Sequence, residues 1–503
     1  MSPMNHTIPI RDFLGRMACL VIFFILVTSC TAQPTVPNTA QPAAPNTPPT
    51  AISNSTLTPT VQHTANTVVI RVTKSEPIAL NFVSEGNPIA SAVSGTRLFD
   101  MDGDGDLDVL LTPSYFISLP SLPVMALRND EGRFYDSTRE WFPYGIPTTN
   151  FVRAPLVADF NSDGRLDYFG ADHGQEIIDP ETGFLIGSVN RLFLSNDTRG
   201  FIDASGDLPN TVAFHHGSCS GDIDNDGRVD IMVNALSNPK SYLILNRALG
   251  WEADNTRLPF ILGHYSEPYD ITTEYNPSTC QMADVNGDGW VDVIVAAYRA
   301  ENAEYWPGKR APTGIRIYLN DQMGRFDDSP WQDLPRMEIG QDFGATTIYS
   351  ADFDTNGLLD ILVVYETVSD NHLALQLWMQ VEAGVFEDWT IYAFGGYETS
   401  VGDWRELDVT DLNGDGAPDI SFRLAAFRGP MLYSVRNQIF INNGAGHFAP
   451  PERELVLSDE IRPDFILFAK AANGEATFFG YESVFSGEYV TGIIPFTIDI
   501  PLR

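Results

Sequence analysis

The sequence predicts an all-β fold, a β-propeller of seven blades, with six or eight left open by the repeat count alone. Three observations predict it. An acidic nine-residue pattern, D-x-[DN]-x-[DN]-G-x-x-D, begins at Asp100, Asp159, Asp222, Asp284, Asp352 and Asp411, so successive copies start 59 to 68 residues apart. Each copy is trailed by a second pattern, an alternating strand, a turn and then G-x-F or a close variant: LRNDEGRF, LFLSNDTRGF, LILNRALGW, IYLNDQMGRF, LWMQVEAGVF and IFINNGAGHF. Nothing between them keeps the 3.6-residue periodicity of a helix. Each unit has room for four short strands, and four-stranded units repeated about an axis make a propeller.

The elements follow in chain order. Residues 1–29 read as an export signal: Arg11 and Arg16 precede the apolar run MACLVIFFILV (17–27), too short for a membrane span and suited to a signal core. Its ending, LVTSC, resembles a bacterial lipobox, and that resemblance implies a lipidated Cys30 and attachment to the cell envelope or cell surface. An ordinary secretory signal is the alternative. Residues 30–66 are rich in Pro, Thr, Ala and Asn, carry no charged side chain, and read as a disordered tether. The propeller is expected over 67–503, opening with TVVIRV.

The chain of 503 residues is 43% hydrophobic and 11% aromatic, enough for a substantial core. Its 66 acids against 30 bases give a formal net charge of −36, which argues against nucleic acid or anionic head groups as partners. The membrane is expected as a partner through the N-terminal lipid anchor. Four cysteines are too few for a disulfide scaffold.

Each acidic loop is a set of oxygen donors. Position 1 is Asp in all six copies. Position 3 is Asp102, Asn161, Asp224, Asn286, Asp354 or Asn413, and position 5 is Asp104, Asp163, Asp226, Asp288, Asn356 or Asp415. Position 6 is always glycine, which permits the positive φ of a sharp turn. Position 7 offers a main-chain carbonyl (Asp106, Arg165, Arg228, Trp290, Leu358, Ala417), and position 9 a carboxylate (Asp108, Asp167, Asp230, Asp292, Asp360, Asp419). Oxygen-only, flexible, high coordination is what Ca²⁺ prefers. About six calcium ions are expected, with the fifth loop weakest because Asn356 replaces a carboxylate. An EF-hand fails: no copy has Glu at position 12, and strands flank the loops.

A seventh unit is expected at FAKAANGEATFFGYESV (468–484), which keeps an Asn-Gly turn and the following strand but has lost the aspartates. Ring closure needs a strand from the other terminus, for which LNFVSEG (80–86) is the candidate.

With these motifs in hand, the units resemble FG-GAP or VCBS-type repeats, as in the seven-bladed propeller of integrin α subunits and many bacterial surface proteins. The resemblance covers about residues 80–500. Only DFGATTIYSADFD (342–354) is close to the FG-GAP signature, so the VCBS-like subgroup is the better match. The resemblance implies calcium and a propeller; it implies adhesion, carbohydrate binding or, occasionally, polysaccharide cleavage.

No catalytic residue is assigned. HHGSCSG (215–221) imitates a nucleophile elbow around Cys219 but lacks the strand–turn–helix context and runs into a metal loop. It reads more simply as small residues packing near the axis. Cys219 and Cys280 lie three and four residues before their loops, and their pairing is left open. The acidic loops and N/G turns share one face of the ring. The remaining connections, on the opposite face, are long and aromatic, and Arg153, His216 and Arg405, each six residues before its loop, ring the axis there together with His215. That face is the expected site for a glycan or protein partner. A polysaccharide lyase or hydrolase on the same face, or a structural module of an envelope complex, are the alternatives.

Overall fold

The computed structural model describes residues 60–61, 68–69, 71–79, 95–112, 121–178, 185–196, 200–235, 240–263, 277–297, 304–305, 309–310, 314–336, 343–367, 372–395, 399–401, 404–428, 431–448, 454–456, 465–472, 475–486 and 489–501. The leader and Cys30 lie outside them. Thr60–Val61 pairs with Val68–Val69, on either side of the boundary expected at Thr67.

Seven antiparallel sheets follow one another along the chain. Blade one runs Arg97–Phe99, Asp108–Leu111, Met125–Asp130, Arg133–Asp136, and blade two Val152–Ala158, Asp167–Asp172, Arg191–Ser195, Phe201–Asp203. Blade three is His215–Gly221, Asp230–Ala235, Tyr242–Arg247, Gly250–Asp254; blade four is Pro277–Ala283, Asp292–Ala297, Ile315–Tyr318, Trp331–Leu334. Blade five is Phe343–Ala351, Asp360–Thr367, His372–Glu382, Val385–Asp388, and blade six Trp404–Thr410, Asp419–Arg428, Met431–Phe440, Glu454–Val456. The first strands of successive blades pack on one another, which makes them the inner wall.

Blade seven closes the ring. Phe465–Ala472, Glu475–Ser486 and Tyr489–Pro501 form a meander, and its outer edge is completed from the N-terminal side by Arg71–Lys74 and Ile78–Ala79. The closing strand therefore precedes the segment expected for it: 80–86 lies outside the described residues. Ala472 pairs with Glu475, and the Asn473-Gly474 turn expected between them lies outside the described residues.

The second strands are apolar on both sides because blades stack face to face. Apolar clusters sit between neighbours: Phe99, Leu110 and Val152 between blades one and two, Phe169 and Ile231 between two and three, Met232 and Val293 between three and four. Phe134 meets Phe479 at 4.8 Å where blade one packs on blade seven. Helix is confined, among the described residues, to single turns after outer strands, such as Thr138–Trp141, Phe260–Gly263 and Thr390–Phe394, whose buried side chains plug the gaps between blades. Cys219 and Cys280, on adjacent inner strands, form a disulfide with Cα atoms 5.6 Å apart, which settles the pairing left open by the sequence.

Candidate metal loops and candidate ligand face

Every acidic loop curls about its first carboxylate. Asp100 Oδ1 accepts the amides of Gly103 and Asp104 at 2.6 and 3.2 Å, and Oδ2 that of Gly105 at 3.0 Å. The same pattern recurs at Asp284 and Asp411. The position-6 glycines all have φ between 83° and 94°, as the motif predicts. Position 4 also takes positive φ, with glycine in three copies but Ser162, Asn225 and Thr355 in the others. Position 4 is not one of the donor positions; its signal in the sequence is the glycine that stands there in three of the six copies. Position-7 amides donate back to position 5, as Arg228 to Asp226 at 3.0 Å.

Position 9 does more than offer a ligand. Asp108, Asp167, Asp230, Asp292, Asp360 and Asp419 are fully buried. One oxygen of each accepts the position-2 amide of its own loop, and the other accepts an amide of the third strand's end, from Asn129, Ser195, Asn246, Asn320, Gln380 or Asn442, at 2.7–2.8 Å. Burial pushes these carboxyls up, to about 7 at Asp108, Asp230 and Asp360 and to about 6 at Asp167, Asp292 and Asp419, against the pull of those amides.

The third-strand amide side chains then cross to the preceding blade. Asn246 Nδ2 donates to Phe160 O (2.7 Å), Asn320 to Ile223 O (2.8 Å), Gln380 Nε2 to Val285 O (2.5 Å) and Asn442 to Phe353 O (2.7 Å). Each acceptor is the position-2 carbonyl of the neighbouring loop. The turn glycines Gly384 and Gly446 donate to the same Val285 and Phe353 carbonyls, both at 3.1 Å. The two sequence patterns are thus partners across blades, not only within them.

The donor set fits a hard divalent cation. In the three copies with Asp at position 3, Asp100/Asp102/Asp108, Asp222/Asp224/Asp230 and Asp352/Asp354/Asp360 bring carboxylate oxygens within 4.8 Å of one another. Asp224 Oδ1 is moreover buried with no hydrogen-bond partner, a polar atom that a bound ion would satisfy. Asn161 and Asn286 turn their Oδ1 inward as well, each accepting the position-5 amide at 3.0 and 2.9 Å.

On the opposite face, bulges in the inner strands re-aim side chains. The register slips between Arg153 and Leu156 in blade two and between His215 and Gly217 in blade three, leaving His216 as the unpaired residue. Arg153 Nη1 reaches His216 Nε2 at 2.5 Å and His173 Nε2 at 3.4 Å, and its guanidinium lies 5.3 Å over the Phe151 ring. Sequence reasoning missed His173. Its signal was hairpin arithmetic: it pairs back to Phe151, beside Arg153, through its amide at 2.8 Å. Burial first, and then the Arg153 charge, push both imidazoles well below the ordinary histidine range. His215 does not join them. It is fully buried, bonded to Asp172 O (2.9 Å) and the Tyr242 hydroxyl (2.8 Å), and burial lowers it to about 4. Arg405 lies at the start of its inner strand as expected, paired with Leu424; its side chain is outside the described residues. The small residues of 215–221 pack as expected: a Cβ on Gly217 would stand 2.4 Å from Ser278 O of blade four.

A family model described as FG-GAP-like repeat matches residues 100–170 and 284–363, each running from an acidic loop into the second strand of the next blade. No curated protein matches the chain. Among solved structures, two crystal structures of BBS1N in complex with ARL6DN, one soaked with lead and one with mercury, match at 8% identity over 84% of this chain and 97% of theirs, with TM-scores of 0.37 and 0.41.

Proposed function

We propose that this seven-bladed β-propeller, two stretches of which match the FG-GAP-like repeat, is a calcium-stabilised binding module, held at the bacterial envelope, which takes a glycan or protein partner on the face opposite its acidic loops. The observation that carries the reading is the convergence of Arg153, His173 and His216 from two blades at one end of the inner wall. Arg153 and His216 are half-buried and can meet a ligand, with fully buried His173 behind them, and a guanidinium is a donor suited to hydroxyls and carboxylates.

Binding is favoured over catalysis by the state of those imidazoles. A base held far below neutral pH and already accepting from Arg153 is a poor proton acceptor for lyase chemistry. Export is supported by the leader and by the Cys219–Cys280 disulfide, since such bonds persist in oxidising compartments. Among the described residues no helix is long and apolar enough to cross a membrane. The LVTSC ending of the leader supports attachment through a lipidated Cys30, and a Cys30→Ser variant should leave the membrane fraction.

The test is a panel of immobilised neutral and uronate-bearing polysaccharides, with a pull-down from envelope extract for protein partners. Arg153→Ala/His216→Ala should lose binding while keeping its calcium-dependent melting. New reducing ends or unsaturated products would establish the enzyme instead. Binding untouched in the double variant would move the site elsewhere.

A further inference from the structure

The third loop differs from a bare ring of carboxylates because guanidinium groups from outside it reach its donors. Arg247, at the end of blade three's third strand, hydrogen-bonds Asp224 and stands 3.6 Å from Asp226. Arg257, beyond the fourth strand, stands 3.6 Å from the same Asp224 oxygen. Within the loop, Arg228 pairs with Asp226 while its Nε donates to Asn246 O at 2.8 Å.

Arg257 is also held in place. Asp254 takes its Nε at 3.3 Å, and the carbonyls of Met323 and Gly324, from blade four's turn, take Nη1 at 3.4 Å. A Cβ on Gly324 would stand 2.8 Å from that Nη1 and 3.0 Å from Asp224 Cβ, so the turn, the arginine and the loop are packed together. These contacts tie the guanidinium to blade four's turn.

We propose that Arg247 and Arg257 act as a built-in counter-charge that holds down the affinity of the third loop for calcium. The inference rests on the calcium reading above and concerns one loop of it. All the guanidinium contacts that Asp224 makes go to Oδ2, whereas Oδ1 is buried and unpartnered, so the loop keeps a ligand atom for the ion. The ion must therefore bind beside two fixed positive charges. Like charges a few ångströms apart repel strongly when partly shielded from water, and the two side chains are 27% and 19% exposed. Ranking the loops by their own carboxylates, as the sequence does, leaves this term out.

Calcium isotherms of the mature chain, with bound ions counted by native mass spectrometry, test it. Asp222→Asn removes the first ligand of loop three, so the binding step it abolishes identifies that loop. In Arg247→Gln and in Arg257→Gln, each checked for retained β structure by circular dichroism, that step should move to at least tenfold lower calcium, with the others unmoved. A step that appears only in the arginine variants supports the proposal equally. A step that stays put, or moves to higher calcium because the arginines position Asp224 for the ion, overturns it. If no step appears for any loop in any of the proteins, the calcium reading itself has failed.

Discussion

At the scale of single residues, two features of the acidic loops carry consequences for stability. Ser162 holds φ at 61° at a position where three other loops use glycine. A left-handed non-glycine residue costs about 1 kcal/mol, so Ser162→Gly should leave stability unchanged or raise it by up to about 1 kcal/mol in urea unfolding, the gain being trimmed by the freer unfolded chain. A loss beyond about 1 kcal/mol would mean the Ser162 side chain contributes something its exposed position does not suggest. The buried position-9 aspartates set a pH dependence. Their native values of about 6 to 7 lie above the ordinary 3.8, so between those limits the ion-free native state holds more protons than the unfolded chain. The contribution of these six groups to stability then falls as pH rises through that window, and it outnumbers the opposite contribution of the three buried histidines His173, His215 and His216, whose values are lowered. In chelator the melting temperature should be higher at pH 5.5 than at pH 8. In saturating calcium the slope should reverse, because protons and calcium compete for the same oxygens. A melting temperature in chelator that climbs from pH 5.5 to 8 would mean that the aspartates do not dominate the proton balance.

Between elements, the unit of stability is a loop in one blade with the turn of the next. Asn246 serves two blades: its amide closes Asp230 and its side chain caps the Phe160 carbonyl of blade two. Asn246→Ala keeps the first bond and leaves a buried carbonyl unpaired, at a cost of about 1–3 kcal/mol. Thermal denaturation should show the loss, and hydrogen exchange should place it at the junction of blades two and three. Protection lost evenly over blade three alone would argue that the tie is internal. In blades four, five and six the turn glycines Gly324, Gly384 and Gly446 seat on the preceding blade's acidic loop, which ties the two patterns to each other across blades. The acidic pattern was legible from nine residues; its partner's role was not, because the contact joins residues 86 to 97 apart.

For the whole molecule, closure depends on two short strands far from the rest of their sheet. Arg71–Lys74 pairs with Phe496–Asp499, Ile78–Ala79 pairs with Gly492–Ile493, and Lys74 meets Glu482 at 2.9 Å. Removing residues up to 79 would expose the edge of the Tyr489–Pro501 strand, and an exposed, long edge recruits other chains. The truncated protein should melt lower and self-associate on size-exclusion chromatography. A monomer of unchanged stability would show that the ring closes without the N-terminal strand.

By itself the sequence determined the all-β class, the repeat, the six loops with their donor positions, and a blade count for which seven was the best reading. It could do so because each signal is local: nine residues that close on one carboxylate, and strands that alternate over a few residues. Tertiary structure decided which N-terminal strand completes blade seven, that Cys219 meets Cys280, that His173 joins Arg153 and His216 while His215 turns into the core, and that Arg247 and Arg257 lean on the third loop. Most of these contacts lie between strands or blades, where bulges shift register by a residue and reverse the side a side chain faces. Spacing along the chain cannot fix that side; only the packed ring does.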